Sequence, residues 1–211
     1  MQRLILTLFF LGLLVTGVLG TETRLLFFWP GCLLIGLAGL FAAFKWRLKV
    51  SFPPNDFCLL STLLFAAYVL VRAWFSPVED WAREDGFTLC AALVAYLITA
   101  TAASHPHARM GIVYVLLALT AGNLAMGVIH FSGNWDFHLV PGFVRRFEHG
   151  RIGGFFNNPN HLAAFLSMVM LLCGGWMLFG RAGAALRLFL GFVILTIATG
   201  TALTVSRGAV P

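Results

Sequence analysis

The sequence predicts an all-α, polytopic integral membrane protein of about seven transmembrane helices. Three observations predict it. Residues are 60% hydrophobic and only 10% charged, whereas a soluble domain carries about a quarter charged residues. Mean hydropathy is +0.90. Seven apolar stretches approach the roughly 20 residues that a helix needs to cross a hydrocarbon core of about 30 Å. None of them alternates apolar with polar residues, as barrel strands do. Backbone polar groups in lipid must bond within their own segment, which leaves helices.

The first stretch, Leu4–Gly20, follows Arg3 and ends on Val18-Leu19-Gly20. That arrangement also fits a cleaved signal peptide, which would leave six spans. Polytopic proteins seldom need one, so the segment is expected to be retained. The second stretch, Leu25–Phe44, closes on Lys45-Trp46-Arg47-Leu48-Lys49. Phe52-Pro53-Pro54-Asn55-Asp56 then forbids helix continuation, and Asn55 or Asp56 can cap the third stretch, Phe57–Phe75. Arg72 is expected to snorkel from that span to the outer interface; the alternative is a buried functional charge. Gly86–Ala103 and Met110–Phe131 are the fourth and fifth, parted by Ser104-His105-Pro106-His107-Ala108-Arg109. Arg181-Ala182-Gly183 joins the sixth, His161–Gly180, to the seventh, Ala185–Val205, in a short hairpin. Ser132–Asn160 is the only long connection. The chain therefore divides into five helices over 1–131, an outer loop over 132–160 and two further helices over 161–211. No internal repeat, low-complexity segment or soluble domain is evident.

Loop charges give the orientation. Alternating the loops puts Arg3, Lys45, Arg47, Lys49, Arg109, Arg181 and Arg187 on one side, with Asp56 the only acid. The other side receives Arg24, Arg83, Arg145, Arg146, Arg151 and Arg207, offset by Glu22, Glu79, Asp80, Glu84, Asp85, Asp136 and Glu148. The first side is net basic, so the N-terminus is expected in the cytoplasm and Ser132–Asn160 outside. Cys32, Cys58, Cys90 and Cys173 all lie within apolar spans without ligand spacing. They read as small packing residues, with neither disulfide nor metal.

The most informative stretch is Gly153-Gly154-Phe155-Phe156-Asn157-Asn158-Pro159-Asn160-His161-Leu162-Ala163-Ala164. Asn before Pro initiates a turn, because the residue before Pro is pushed out of the helical region. Pro159 suits the first turn of the following helix, where its missing N–H costs nothing. Asn158 suits the N-cap. The cluster reads as the mouth of a membrane helix, with amides and an imidazole at the water boundary.

Two pieces of the chain resemble the O-antigen ligase and O-antigen polymerase family of bacterial membrane glycan-joining enzymes. One is Gly154-Phe155-Phe156-Asn157-Asn158-Pro159-Asn160-His161-Leu162-Ala163, which matches a Gly-Phe-x-x-Asn-Pro-Asn-x-x-Ala pattern opening one helix. The other is Thr204-Val205-Ser206-Arg207-Gly208-Ala209, which carries a Ser-Arg-Gly pattern at the outer end of the next. The resemblance covers 151–209. It implies transfer of a glycan from an undecaprenyl diphosphate carrier to an acceptor hydroxyl, on a lipid A core, a growing polymer or a protein, at the bacterial inner membrane. It implies that Arg207 binds the diphosphate and stabilises the leaving group, a form of catalysis that gains most from fixed charge. The histidine usually held to be catalytic in the family lies in a later outer loop, so no catalytic residue is named here. Family members continue beyond the second pattern, so the resemblance also implies an N-terminal portion, with activity of this polypeptide in doubt.

Arg145-Arg146-Phe147-Glu148-His149-Gly150-Arg151 gathers three guanidiniums and an imidazole. Guanidinium forks match phosphate oxygens bidentately, so Arg145, Arg146 and Arg151 are candidate diphosphate contacts. The alternative is contact with anionic lipid headgroups. Arg207 has its own alternative as a flanking arginine that anchors a helix end. Asn157, Asn158, Asn160 and His161 complete the candidate glycan-binding set. His149 and His161 are candidate proton acceptors, but a solvated loop role suits His149. Capping or hydrogen bonding to the Asn cluster suits His161. Neither a cofactor nor a nucleic-acid partner is expected. The expected partners are the lipid-linked glycan, an acceptor glycan or lipid, and membrane lipids. The rival classes are a bicarbonate-type transporter, for which Arg72 is the only intramembrane charge, and a non-catalytic assembly subunit.

Overall fold

The computed structural model describes residues 2–19, 25–46, 56–101, 105–134, 137, 139, 151–180 and 183–204. Among them are seven α-helices: α1 Gln2–Leu19, α2 Leu25–Trp46, α3 Asp56–Trp74, α4 Glu79–Ala100, α5 Pro106–Phe131, α6 Pro159–Phe179 and α7 Ala184–Leu203. No strand occurs among the described residues. Four of these helices, α1, α5, α6 and α7, are long and apolar enough to cross a membrane. The chain is therefore an all-helical, membrane-embedded protein. The apolar described stretches of α2 and α3, Trp29–Phe44 and Leu60–Trp74, are shorter.

The helix ends follow local chemistry. Pro106 and Pro159 stand first in α5 and α6, where an absent N–H breaks no bond. The amides of Ala108 and Arg109 both donate to His105 O, at 3.0 and 3.1 Å. The fourth helix departs from the apolar count. Glu79, Asp80, Arg83, Glu84 and Asp85, expected in a loop before Gly86, form the first two turns of α4. The helix thus starts on charged residues, earlier than an apolarity criterion would start it. The turn before it is Phe75-Ser76-Pro77-Val78, where Ser76 Oγ accepts from Val78 N–H at 3.3 Å.

The chain forms two compact units, divided within α5 between Val115 and Leu116. In the first, α1 packs on α2, and α4 packs on both α2 and α3. Ile5, Phe9, Ile35, Ala38, Ala42 and Ile98 form its core. Gly12 lets α1 and α2 approach closely: a Cβ there would stand 2.8 Å from Ile35 Cγ1 and 3.2 Å from Gly31 O. Small residues serve this purpose where both helices are surrounded by hydrocarbon. In the second unit α6 and α7 form an antiparallel hairpin around Gly180–Gly183. Ile152, Leu162, Leu166, Val169, Cys173, Leu190 and Ile197 form its core.

The outward surface is apolar, with Phe57, Leu64 and Trp74 exposed on α3 and Leu188, Phe192 and Leu195 on α7. Arg72 is exposed in the last turn of α3. Cys32 and Cys173 are buried packing residues. Cys90 departs from that expectation and is exposed on α4; the side chain of Cys58 lies outside the described residues.

The threonines of α7 bond to their own backbone. Thr196, Thr199 and Thr201 of α7 donate from Oγ1 to the carbonyls of Phe192, Leu195 and Ile197, at 2.9, 3.0 and 2.9 Å. Each hydroxyl is satisfied one turn back, so the threonines do not bar α7 from lipid.

Candidate functional site

The antiparallel hairpin brings the start of α6 and the end of α7 to the same end of the pair. The Asn-rich pattern opens α6, and Thr204, the residue that begins the second matched piece, is the C-cap of α7, so these two lie at that end. The geometry at this end is built by a short strap, Arg151–Asn158, laid against α5 and α7.

Asn158 is the N-cap of α6. Its backbone is extended, with φ −109° and ψ 117°, as Pro159 requires of its predecessor. Its Oδ1 accepts from Asn160 N–H at 2.9 Å. The carbonyl of Asn158 accepts from His161 N–H at 3.0 Å and from Leu162 N–H at 3.3 Å. Leu162, Ala163 and Leu166 then carry the buried face of α6 into the core.

The strap is held on α5 by Asn123, which is 1% exposed. Asn123 Nδ2 donates to Leu119 O at 2.8 Å. That bond orients the amide so that Oδ1 accepts from Phe155 N–H at 2.8 Å. Gly154 makes the approach possible. Its φ is +59°, and a Cβ there would stand 2.5 Å from Asn123 Oδ1 and 2.9 Å from Asn123 O. Gly122 and Gly127 of α5 form the seat, since a Cβ on either would strike Phe155 or Ile152 respectively. Ile152, Gly153, Gly154 and Phe155 are all buried.

Arg151 joins the two patterns. Its Nη2 donates to Asn160 Oδ1 at 3.0 Å. Its Nε donates to Thr204 O at 2.9 Å, across 53 positions of sequence. The amide of Ile152 donates to Leu203 O at 3.3 Å. These are carbonyls at the C-terminal end of α7, which have no partner within the helix. Thr204 is buried, and its Oγ1 donates to Thr201 O at 2.7 Å.

Of the candidate residues, the structure brings Arg151, Asn157, Asn158, Asn160 and His161 to one place. Asn157 is half-buried, with its Oδ1 enclosed and unpaired among the described residues. Asn160 and His161 are exposed. The His161 ring, expected to bond within the Asn cluster, makes no such bond among the described residues; only its amide is held, by Asn158 O. Arg145, Arg146, His149 and Arg207 lie outside the described residues. No group of three His, Cys, Asp or Glu side chains gathers as metal ligands among the described residues.

Two residues here escape a reading by motif: Asn123 and His130. His130 is fully buried at the end of α5, and its Nε2 lies 3.1 Å from Phe137 O. A carbonyl only accepts, so that contact requires the Nε2–H tautomer. Asn123 could be found from one signal, a lone amide in an otherwise apolar run, since such a group must be satisfied inside lipid.

Comparison of the chain with protein-family models, with curated proteins and with solved structures returns no match.

Proposed function

We propose that the chain is a multi-pass protein of the bacterial inner membrane, of the O-antigen ligase type, acting on a lipid-linked glycan. In this reading the donor is an undecaprenyl diphosphate glycan and the acceptor a lipid A core, polymer or protein hydroxyl. One observation carries it: the first pattern, at the mouth of α6, and Thr204, which begins the second matched piece, come together at one end of the α6–α7 hairpin, bridged by the Arg151 guanidinium. A site that grips a diphosphate with residues from both patterns needs that convergence.

Seven spans with a cytoplasmic N-terminus put this end of the hairpin on the outer face. Arg181 and Arg187 then flank the cytoplasmic turn, in keeping with the excess of Lys and Arg on that side. Donor and site would share the outer leaflet. Arg207 would hold the diphosphate through its planar fork and stabilise charge on the departing oxygen.

The test compares Arg207→Lys with Arg207→Ala, following glycan transfer from an undecaprenyl diphosphate donor by the protein in native membranes. Transfer by the unchanged protein, with loss in both variants at equal abundance, is the expected result. An ammonium lacks the fork, so near-normal transfer by the Lys variant rejects the diphosphate grip. No transfer by the unchanged protein rejects the function for this chain.

A further inference from the structure

We infer that Arg151 is a positioning residue, which caps α7 from outside the helix and ties that end to Asn160, thereby orienting the Asn160 amide at the mouth of α6. As a statement about catalysis this rests on the function proposed above; as a statement about the fold it does not.

Two donors of the Arg151 fork are directed to protein acceptors on different helices, Thr204 O of α7 and Asn160 Oδ1 of α6. The neighbouring Ile152 amide takes Leu203 O. Arg151 and Ile152 therefore supply from 53 residues away the donors that a C-terminal glycine turn would normally supply. A guanidinium also suits this position electrostatically, since the C-terminus is the negative end of the helix dipole.

The guanidinium is itself well fixed. Behind it the strap is bound to α5 by the Asn123 amide at Phe155 N–H and by the close fit of Gly154 against Asn123. Ahead of it Asn160 is tied by its amide to the cap residue Asn158. Losing the Arg151 tie releases Asn160 Oδ1 from the end of α7 and re-aims that amide at the mouth of α6, without any contact between Arg151 and a donor diphosphate.

A residue that acts this way and one that touches the diphosphate leave different traces. The experiment uses the full chain in lipid nanodiscs, as the unchanged protein and as Arg151→Ala, Arg151→Lys and Asn160→Ala. Amide hydrogen exchange is read for peptides covering 151–156 and 199–204, with peptides from α1 to α4 as the internal control for folding. The clasp predicts exchange about tenfold faster or more in both peptides of Arg151→Ala, with the control peptides unchanged. Lys should not restore protection, because one ammonium lacks the fixed fork that meets both acceptors. Asn160→Ala should give a smaller rise and add little on top of Arg151→Ala, since the two share one interaction. In transfer assays kcat should fall about tenfold, with KM for the lipid-linked donor changed less than about twofold.

Unchanged exchange in Arg151→Ala overturns the clasp outright. A rise of about tenfold in KM with kcat retained overturns the positioning role and makes Arg151 a donor contact. If the unchanged protein transfers nothing, the proposed function fails, and the exchange data alone decide whether the clasp stands.

Discussion

At the residue scale the second unit depends on one amide. Asn123 satisfies both of its ends within α5 and the strap: Nδ2 on Leu119 O and Oδ1 under Phe155 N–H. Replacing it with Leu keeps the size and removes the acceptor. The Phe155 N–H is buried, so the loss should cost about 1–3 kcal/mol. Gly154→Ala attacks the same contact from the other side. A non-glycine residue in the left-handed region costs roughly 1–2 kcal/mol, and its methyl would also crowd Asn123 Oδ1 at 2.5 Å. Both variants should lower the melting temperature in detergent, and both should speed exchange in 151–156. A melting temperature equal to that of the unchanged protein in Asn123→Leu would show that the strap is held by its apolar contacts instead. The sequence alone does not pair these residues. The local bond of Asn123 to Leu119 O follows from helix geometry, but the donor to its Oδ1 lies 32 positions away. Polar residues within membrane spans are informative because they must find a partner, but the identity of that partner is set by tertiary packing.

At the element scale, chain chemistry and membrane chemistry give different helix ends. The start of α6 is legible because Asn158-Pro159 encodes it locally: extended backbone before proline, cap, then proline at the first turn. Asn158→Ala should cost about 1 kcal/mol, whereas Asn158→Ser should be nearly neutral. Melting temperatures of the pair check this, and equal losses in both would mean that the side chain contributes bulk and no cap bond. The start of α4 is not legible from apolarity, because its first turns are charged. An apolar run reports where lipid begins; the helix is free to start earlier in water. The end of α7 is a third case. The donors to Leu203 O and Thr204 O come from Ile152 and Arg151, so no local signal for those two exists. The nearness of the α6 start to the α7 end was implicit in the short connection between the two helices, but the strap that joins them was not.

At the scale of the whole molecule, the orientation is a question of parity. Helices α1, α5, α6 and α7 are each long and apolar enough to cross. The side on which α5 ends therefore depends on how many of α2, α3 and α4 also cross. If all three do, α5 ends on the face opposite the N-terminus. If one of them lies along the surface, α5 ends on the same face as the N-terminus, and the candidate site turns inward. The charge pattern favours seven crossings, since Lys45, Arg47, Lys49, Arg109, Arg181 and Arg187 then share the side of Arg3. Ser132 and Asn134 report the outcome, because both are exposed just beyond α5. Single cysteines at these positions, in a background without the native cysteines, should react with a membrane-impermeant thiol reagent in spheroplasts. A cysteine at Gln2 should react only after the membrane is opened. Labelling of all three from the same side would mean an even number of crossings before the loop. A lipid-linked donor on the outer leaflet would then be out of reach of Arg151 and the α6 mouth, and the glycan-transfer reading would fall on topology alone.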